Sequence, residues 1–296
     1  MKPTKGDKVF NAVNVSLMFI VCLACLYPIW YCLILSLSNT NLIAESRIWI
    51  WPRYFTIWNY KEVFENQQIM NGFKIGAYRT VLASVLSVFF NAMAAYALSK
   101  KYFIGRQIFM TVIMITMYFS GGIVPFYLLL MNLHLINSFW VYIIPGMFGA
   151  TTIIIMRTFF NNIPVEMDES AKLDGANDLT IYARIYLPLS KAMLATMLLF
   201  AAVANWGDWF AGDFYVRNRD LKPLSTVLMN LIRANFLLET SGVVSSGSEV
   251  LEAMNRPTSS GLRMAAVIVS IAPILAVYPF LQKYFAHGIM IGSIKG

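Results

Sequence analysis

The sequence predicts an all-α, polytopic membrane protein with six transmembrane helices. Three observations carry that prediction. First, 58% of the 296 residues are hydrophobic and only 13% are charged, with a mean hydropathy of +0.61. A water-soluble domain carries about 25% charged residues. Second, the apolar residues gather into about six runs, each near the ~20 residues that a helix needs to cross a ~30 Å bilayer core. Third, Lys and Arg stand between those runs and form no basic stripe. The net charge of +8 therefore reads as membrane-flanking charge, not as a nucleic-acid surface.

The first run covers 13–37 and follows a basic head, 1–12, that contains Lys2, Lys5 and Lys8. It is too long for a signal-peptide core and lacks a small-residue cleavage site, so it reads as an uncleaved anchor. Cys22, Cys25 and Cys32 lie in this run. With no second pair and no nearby His, they read as small apolar residues and not as metal ligands. The second run, 77–98, is followed by Lys100, Lys101 and Arg106. Arg79 at its outer start reads as a snorkelling side chain. The third run, 108–131, passes through the polar turn 132–137 to the fourth, 138–160. The fifth, 187–210, and the sixth, 261–285, complete the transmembrane region 13–285.

Two connections are long. The loop 38–76 holds Trp49, Trp51, Tyr54, Trp58 and Tyr60, which suit a membrane interface. The loop 211–260 is Ser/Gly-rich around 241–248. No internal repeat, direct or inverted, is visible. The basic residues of the short segments put the head, the 100–106 turn, the segment 161–184 and the tail 286–296 on one side, with both termini cytoplasmic and the long loops outside. Pro125, Pro145, Pro273 and Pro279 fall within or near the ends of runs, beside Gly121, Gly122 and Gly146. Such breaks suit helices that bend beside a pathway; ordinary packing kinks account for any one of them equally well.

The insert 161–188 is the most informative segment. Pro164 stands near a plausible helix start, with Asn162 as candidate cap. Glu166, Asp168 and Glu169 follow where the helix dipole favours negative charge. Asp174-Gly175 is a turn signal. A second short helix over 178–185 is expected to stop at Pro188, where the fifth span begins. Two short helices at an angle, lying beside the membrane, make a rigid handle for a motor outside it. Small residues at Ala171, Gly175 and Ala176 would permit close docking, and Glu169 and Asp174 would meet basic groups.

This stretch resembles the cytoplasmic "EAA" loop of ABC-importer permeases, with the pattern Glu-Ala-Ala, three residues, Gly, nine residues, Ile-x-Leu-Pro. Glu169, Ala171, Gly175, Ile185, Leu187 and Pro188 occupy those places, and Ser170 replaces the first Ala. The likeness extends over nearly the whole chain and looks like the carbohydrate-uptake branch, similar to the smaller of the two maltose-importer permeases. Phe55-Thr56-Ile57-Trp58-Asn59-Tyr60 resembles that branch's extracellular "FTxxNY" element. Trp206-Gly207-Asp208-Trp209-Phe210 stands where the branch has Trp-Asn-Asp/Glu, with Gly207 departing from it. Tyr284-Phe285-Ala286-His287-Gly288 and Gly292-Ser293-Ile294-Lys295-Gly296 resemble its C-terminal tail. Gly121-Gly122-Ile123-Val124-Pro125 and Trp140 through Gly146 suggest the subgroup for complex or acidic oligosaccharides.

The resemblance implies a conduit and lever. A second homologous permease completes the pathway, two ABC ATPase subunits dock on the insert, and an external solute-binding protein delivers an oligosaccharide. ATP and Mg would bind the ATPases. This chain has no Walker-type phosphate loop and is expected to be neither an enzyme nor a holder of cofactors or metal. The ATPase-coupling candidates are Glu169, Ala171, Asp174, Gly175, Ala176, Ile185, Leu187 and Pro188. In the family the tail reaches the ATPases, which makes His287, Gly288, Lys295 and Gly296 candidate contacts. Trp206, Asp208, Trp209 and Pro145 are candidates for the substrate pathway or gate. Asp208 admits two readings: a carboxylate that holds sugar between aromatics, or an interface anchor shaping the outer gate, the latter preferred. His134 and His287 lie far apart in sequence and suggest no metal site. A secondary transporter would be expected to show repeats or buried ionisable pairs. A membrane enzyme would need His, Asp or Glu gathered at one interface. The apolar runs are nearly free of charge, and the acids concentrate in the insert.

Overall fold

The computed structural model describes residues 4–39, 50–241 and 259–292. They form helices α1 (Lys5–Ser36), α2 (Trp58–Glu65), α3 (Gln67–Ser99), α4 (Arg106–Tyr118), α5 (Ile123–Asn132), α6 (Ala150–Asn161), α7 (Val165–Leu173), α8 (Asp178–Ile181), α9 (Leu187–Leu189), α10 (Lys191–Gly207), α11 (Phe210–Phe214), α12 (Leu224–Ser241) and α13 (Ser259–Gly292). Among the described residues the only extended pairing is one bridge, Ser38 with Phe55. The all-α expectation is met.

The chain divides into two compact units, Met1–Met70 with Leu228–Ala272, and Asn71–Val227 with Pro273–Gly296. In the first, a capping box starts α1: the Thr4 hydroxyl accepts from the Asp7 amide, and the Asp7 carboxylate accepts from the Thr4 amide at 2.8 Å. The far end of α1 is tied by the element Phe55–Tyr60. The Asn59 amide donates to Ser36 O (2.9 Å) and Ser38 O (3.2 Å), and the Tyr60 and Ser36 hydroxyls share a 2.7 Å hydrogen bond. A Cβ on Gly261 would come within 2.8 Å of the Asn59 amide, so only glycine permits that approach of α13. Most side chains of α1, from Val9 to Trp30, are apolar and exposed. A helix with its apolar surface uncovered is stable in lipid or against a partner and not in water.

In the second unit, α3 is the central element. Ala92, Ala95, Tyr96 and Leu98 pack with Ile153, Met156 and Phe160 of α6, Ile181 of α8, Tyr182 and Tyr186 beyond it, and Met193 and Met197 of α10. Small residues on α3 let the backbones approach. Midway along α3, Ala83 packs with Leu130, Val141, Tyr142, Tyr215 and Val216.

The spans differ in shape. Gly6–Ser36, Gln67–Ser99 and Ser260–Val277 are long and apolar enough to cross a bilayer unbroken. The fourth run is bent by 45° between Phe139–Gly146 and Ala150–Asn161. Asn91 of α3 holds that bend: its amide donates to Met147 O (3.0 Å) and its oxygen accepts from the Gly149 N–H (2.8 Å). The third run, expected as one helix over 108–131, is instead two: α4 ends at Tyr118 and α5 begins at Ile123, with Gly122 at φ +83°. Two adjacent glycines and Pro125 remove the steric and hydrogen-bonding reasons for the helix to continue.

The start of the fifth span also differs from expectation. The second short helix does not stop at Pro188. It runs on through a π-helical turn, Tyr182–Tyr186, and α9 to Leu189. The wide turn, closed by Leu187 N–H to Tyr182 O, makes room for a ring that an α-turn would drive into the carbonyl of Arg184. The span then begins at Lys191, after an 81° bend.

Candidate functional site

The insert is built from local rules. Pro164 forces Ile163 out of helical conformation, so α7 starts at Val165, with Pro164 itself at the cap position and no side-chain cap. Asn162, expected to cap α7, instead closes α6. Glu166 and Asp168 lie in the first turn of α7. Asp174-Gly175 ends the helix as expected. Gly175 takes φ +80°, its N–H donates to Lys172 O (3.0 Å), and the Ala176 N–H donates to Ala171 O (2.9 Å). This pair of bonds is a Schellman motif, and it needs a left-handed residue at Gly175. Asn177 then caps α8, accepting from the Thr180 amide at 2.8 Å.

The insert is bolted to the end of α3. Lys100 is 6% exposed, and its ammonium meets both carboxylate oxygens of Asp168 at 2.7 and 2.6 Å. The same ammonium lies 4.3 Å from the Tyr96 ring centroid and 4.1 Å from that of Tyr186. Tyr96 donates its hydroxyl to Asp178 O (3.0 Å), and Tyr102 donates to the Asp178 carboxylate (2.6 Å). Lys172 stands over the Tyr102 ring at 4.0 Å. Burial pushes the Lys100 ammonium below its ordinary range, and the Asp168 carboxylate opposes that shift. Burial, then the Asp168 charge, pushes the Tyr186 hydroxyl up to about 12. The hydrogen bond to Tyr102 raises Lys172.

The coupling candidates divide into two sets. Glu169, Asp174, Gly175 and Pro188 are exposed. Ala171, Ala176, Ile185 and Leu187 are partly buried against this chain's own core, so the two alanines support the fold of the insert. From sequence, Lys100 read only as a membrane-flanking charge, and Tyr96, Tyr186 and Tyr102 were passed over. Their signal was spacing: Tyr96 precedes Lys100 by four, and Tyr182 precedes Tyr186 by four, which puts each pair on one helix face. The sequence reading also passed over Leu173, which is 90% exposed at the end of α7. An apolar side chain held outward there marks a contact surface.

A second cluster gathers around Asp208. Arg79, read from sequence as snorkelling, is 2% exposed and not solvated. Its guanidinium pairs with the Asp208 carboxylate, donates to Asp208 O at 2.8 Å, and lies 4.6 Å from the Tyr142 ring centroid. α10 ends at Gly207, which frees the Asp208 carbonyl and carboxylate for this pairing. The other carboxylate oxygen accepts from the Phe210 and Ala211 amides (2.9 and 3.3 Å), starting α11. The Ser225 hydroxyl donates to Asp208 O (2.8 Å), and the Tyr142 hydroxyl donates to Leu221 O (2.9 Å). Both Asp208 carboxylate oxygens are thus engaged within this chain. Trp206 packs edge-on against Phe73 with centroids 5.6 Å apart, and Trp209 packs against Phe210. Pro145 sits in a separate exposed turn, Ile144–Gly146. His287 and Gly288 fall on α13, but their side chains, with Lys295 and Gly296 entirely, lie outside the described residues, as does Trp49.

Comparison with known proteins gives a consistent result. The sequence profile of a family described as binding-protein-dependent transport system inner membrane component matches residues 69–291. Protein LplC of Bacillus subtilis (strain 168) is 34% identical over 296 residues, covering 100% of this chain and 98% of its own length. The polygalacturonan/rhamnogalacturonan transport system permease protein YtcP of the same organism is 32% identical, covering 98% and 99%. Among solved structures, one chain comes from a bacterial ABC transporter involved in the import of the acidic polysaccharide alginate. It matches with a TM-score of 0.84 at 31% identity, covering 96% of this chain and 99% of its own.

Proposed function

Because this chain belongs to the binding-protein-dependent transport system inner membrane component family, we propose that it is one of two permeases forming an oligosaccharide pathway, driven through its 161–188 insert. The family supplies the coarse statement: the chain is a transmembrane permease subunit of an ABC importer and not an enzyme. The finer reading is mechanical. Two ATPase subunits, which hold ATP and Mg, close on nucleotide and pull on Glu169, Leu173, Asp174 and Gly175. The pull passes through the buried Lys100–Asp168 pair into α3 and through the Tyr182–Tyr186 turn into α10. The two spans that move are thereby joined to one handle.

The observation that carries this reading is the rigid attachment of the insert combined with its outward apolar tip. A loop without a partner has no cause to bury an ion pair at its base while holding Leu173 90% exposed. Both termini lie in the cytoplasm with the insert, and an external binding protein delivers substrate from the other side. The names of YtcP and of the alginate transporter both point to acidic saccharides, and we take an acidic oligosaccharide as the cargo class.

A Leu173→Cys variant in the assembled transporter tests the lever. Cross-linking to an ATPase subunit is expected, with labelling of this cysteine only by reagents reaching the cytoplasmic face. Gly175→Asp should block uptake while the external protein still binds sugar. The Cβ at Gly175 meets nothing within 4 Å inside this chain, but φ +80° strains any side-chain-bearing residue, so Gly175→Asn, which tolerates that backbone and should keep uptake, separates turn strain from docking. Labelling of Leu173→Cys from outside intact cells, or normal uptake by Gly175→Asp, refutes the proposal.

A further inference from the structure

A cleft of about 820 Å³ opens between the turn that follows α3, the start of α4, and α6. Three cations line it: Lys101 from the turn, Arg106 from the first residue of α4, and Arg157 from α6. No carboxylate lines it, and among the described residues none of the three cations is paired with one. Arg106 lies close enough to act on the charge of Arg157. Arg157 is held in place by donating its Nε–H to Leu98 O at 2.9 Å, which leaves its terminal nitrogens for another acceptor.

Two further features point the same way. Gly105 is the N-cap of α4, with φ +78° and no side-chain cap, and Gly105, Gln107 and Ile108 all line the cleft. Uncapped amides at a helix start add positive potential where the cations already converge. The remaining wall is apolar, with Met110 and Met114 running along α4 away from the charged end. The cleft therefore has a cationic mouth and a greasy wall that extends along α4.

We infer that this cleft binds the phosphate headgroup of an anionic phospholipid, with an acyl chain lying along Met110 and Met114. Like repulsion between fixed cations without a counter-anion is relieved by a phosphodiester, whose oxygens match the guanidinium fork. Basic pockets between transmembrane helices at one leaflet recognise such headgroups. The inference rests on the membrane-spanning reading of α4 and α6, not on the identity of the transported sugar.

The test uses the assembled transporter reconstituted in phosphatidylcholine vesicles containing a minor fraction of phosphatidylglycerol. After extraction in mild detergent, retained lipid is quantified by mass spectrometry. Wild type should retain phosphatidylglycerol selectively. Each cation near such a headgroup contributes roughly fivefold, so Lys101→Gln/Arg106→Gln should lose retention by roughly twenty-five-fold. Lys191→Gln, an exposed cation outside the cleft, should lose none. If the double variant fails to assemble, Lys101→Gln alone carries the test with a roughly fivefold loss. Equal retention of the two lipids, or of phosphatidylglycerol by both variants, overturns the inference. Displacement of the lipid by inorganic phosphate, but not by chloride at equal ionic strength, assigns the cleft to free phosphate and overturns it too. Retention is read without ATP, binding protein or sugar, so its failure is separable from a failure of the transport reading.

Discussion

Asp168→Asn isolates the joint between the insert and α3. The wild-type pair is 6% and 12% exposed, with two contacts under 2.8 Å. Removing one member of a buried pair costs about 3–5 kcal/mol, because the other charge is left uncompensated. The two tyrosine rings at 4.1 and 4.3 Å already face the Lys100 ammonium and still partly compensate its charge in the variant, so the loss falls below that range. The net loss is about 2 kcal/mol, which is roughly a thirtyfold rise in the opening equilibrium of α7. Hydrogen exchange of the α7 amides in the reconstituted transporter reads that equilibrium. Exchange should accelerate by roughly that factor in the insert, while the amides of α13 stay unchanged. Lys100→Met/Asp168→Leu removes both charges and should restore most of the protection. An insert in Asp168→Asn that exchanges within twofold of wild type would show that the pair does not hold the lever.

Three other outcomes follow from the geometry. Tyr186 should ionise near pH 12, against about 10 for an ordinary tyrosine, so its contribution to stability is complete below pH 10 and fades between 10 and 12; Asp168→Asn should move its tyrosinate absorbance to lower pH. Arg79→Met should lower thermal stability by about 1–2 kcal/mol, since Asp208 keeps its amide partners and some solvent, and Arg79→Lys should lose about half as much because one ammonium cannot serve carboxylate and carbonyl as a fork does; a lysine variant equal to wild type would refute the fork. Gly212→Ala would drive its Cβ into the Thr226 hydroxyl and to 2.9 Å from Pro223 Cδ, costing about 1–3 kcal/mol in thermal unfolding, whereas Gly207→Ala, with open space around it, should be tolerated.

How much of this was legible in the sequence depends on the range of the forces involved. Span locations followed from composition, because hydrophobic burial is local to each run. The end of α7 at Asp174-Gly175 was legible because only a few residue types accept a left-handed backbone. The start of α10 was not: the π-turn at Tyr182–Tyr186 accommodates Pro188 within the helix, a tertiary override of a local stop signal. Arg79 was misread for a different reason. Its partner is Asp208, far along the chain, and no local pattern announces such a pair. The same holds for Lys100 and Asp168, which read separately as a flanking charge and a first-turn acid. The exposed half of the coupling set was legible as chemistry, but its attachment was not.

The gap between α4 and α5 has a consequence for what can lie beside it. Between Phe119, whose N–H still donates to Ile115 O, and Gly122, whose carbonyl accepts from the Phe126 N–H, the chain turns out of helix, and the Ser120 hydroxyl accepts from the Gly122 amide. Fatty acyl chains provide neither donors nor acceptors, so bare peptide groups at that depth would be intolerable against them. This shoulder of the molecule is therefore compatible with water or with other polypeptide groups beside it, and not with bare acyl chains.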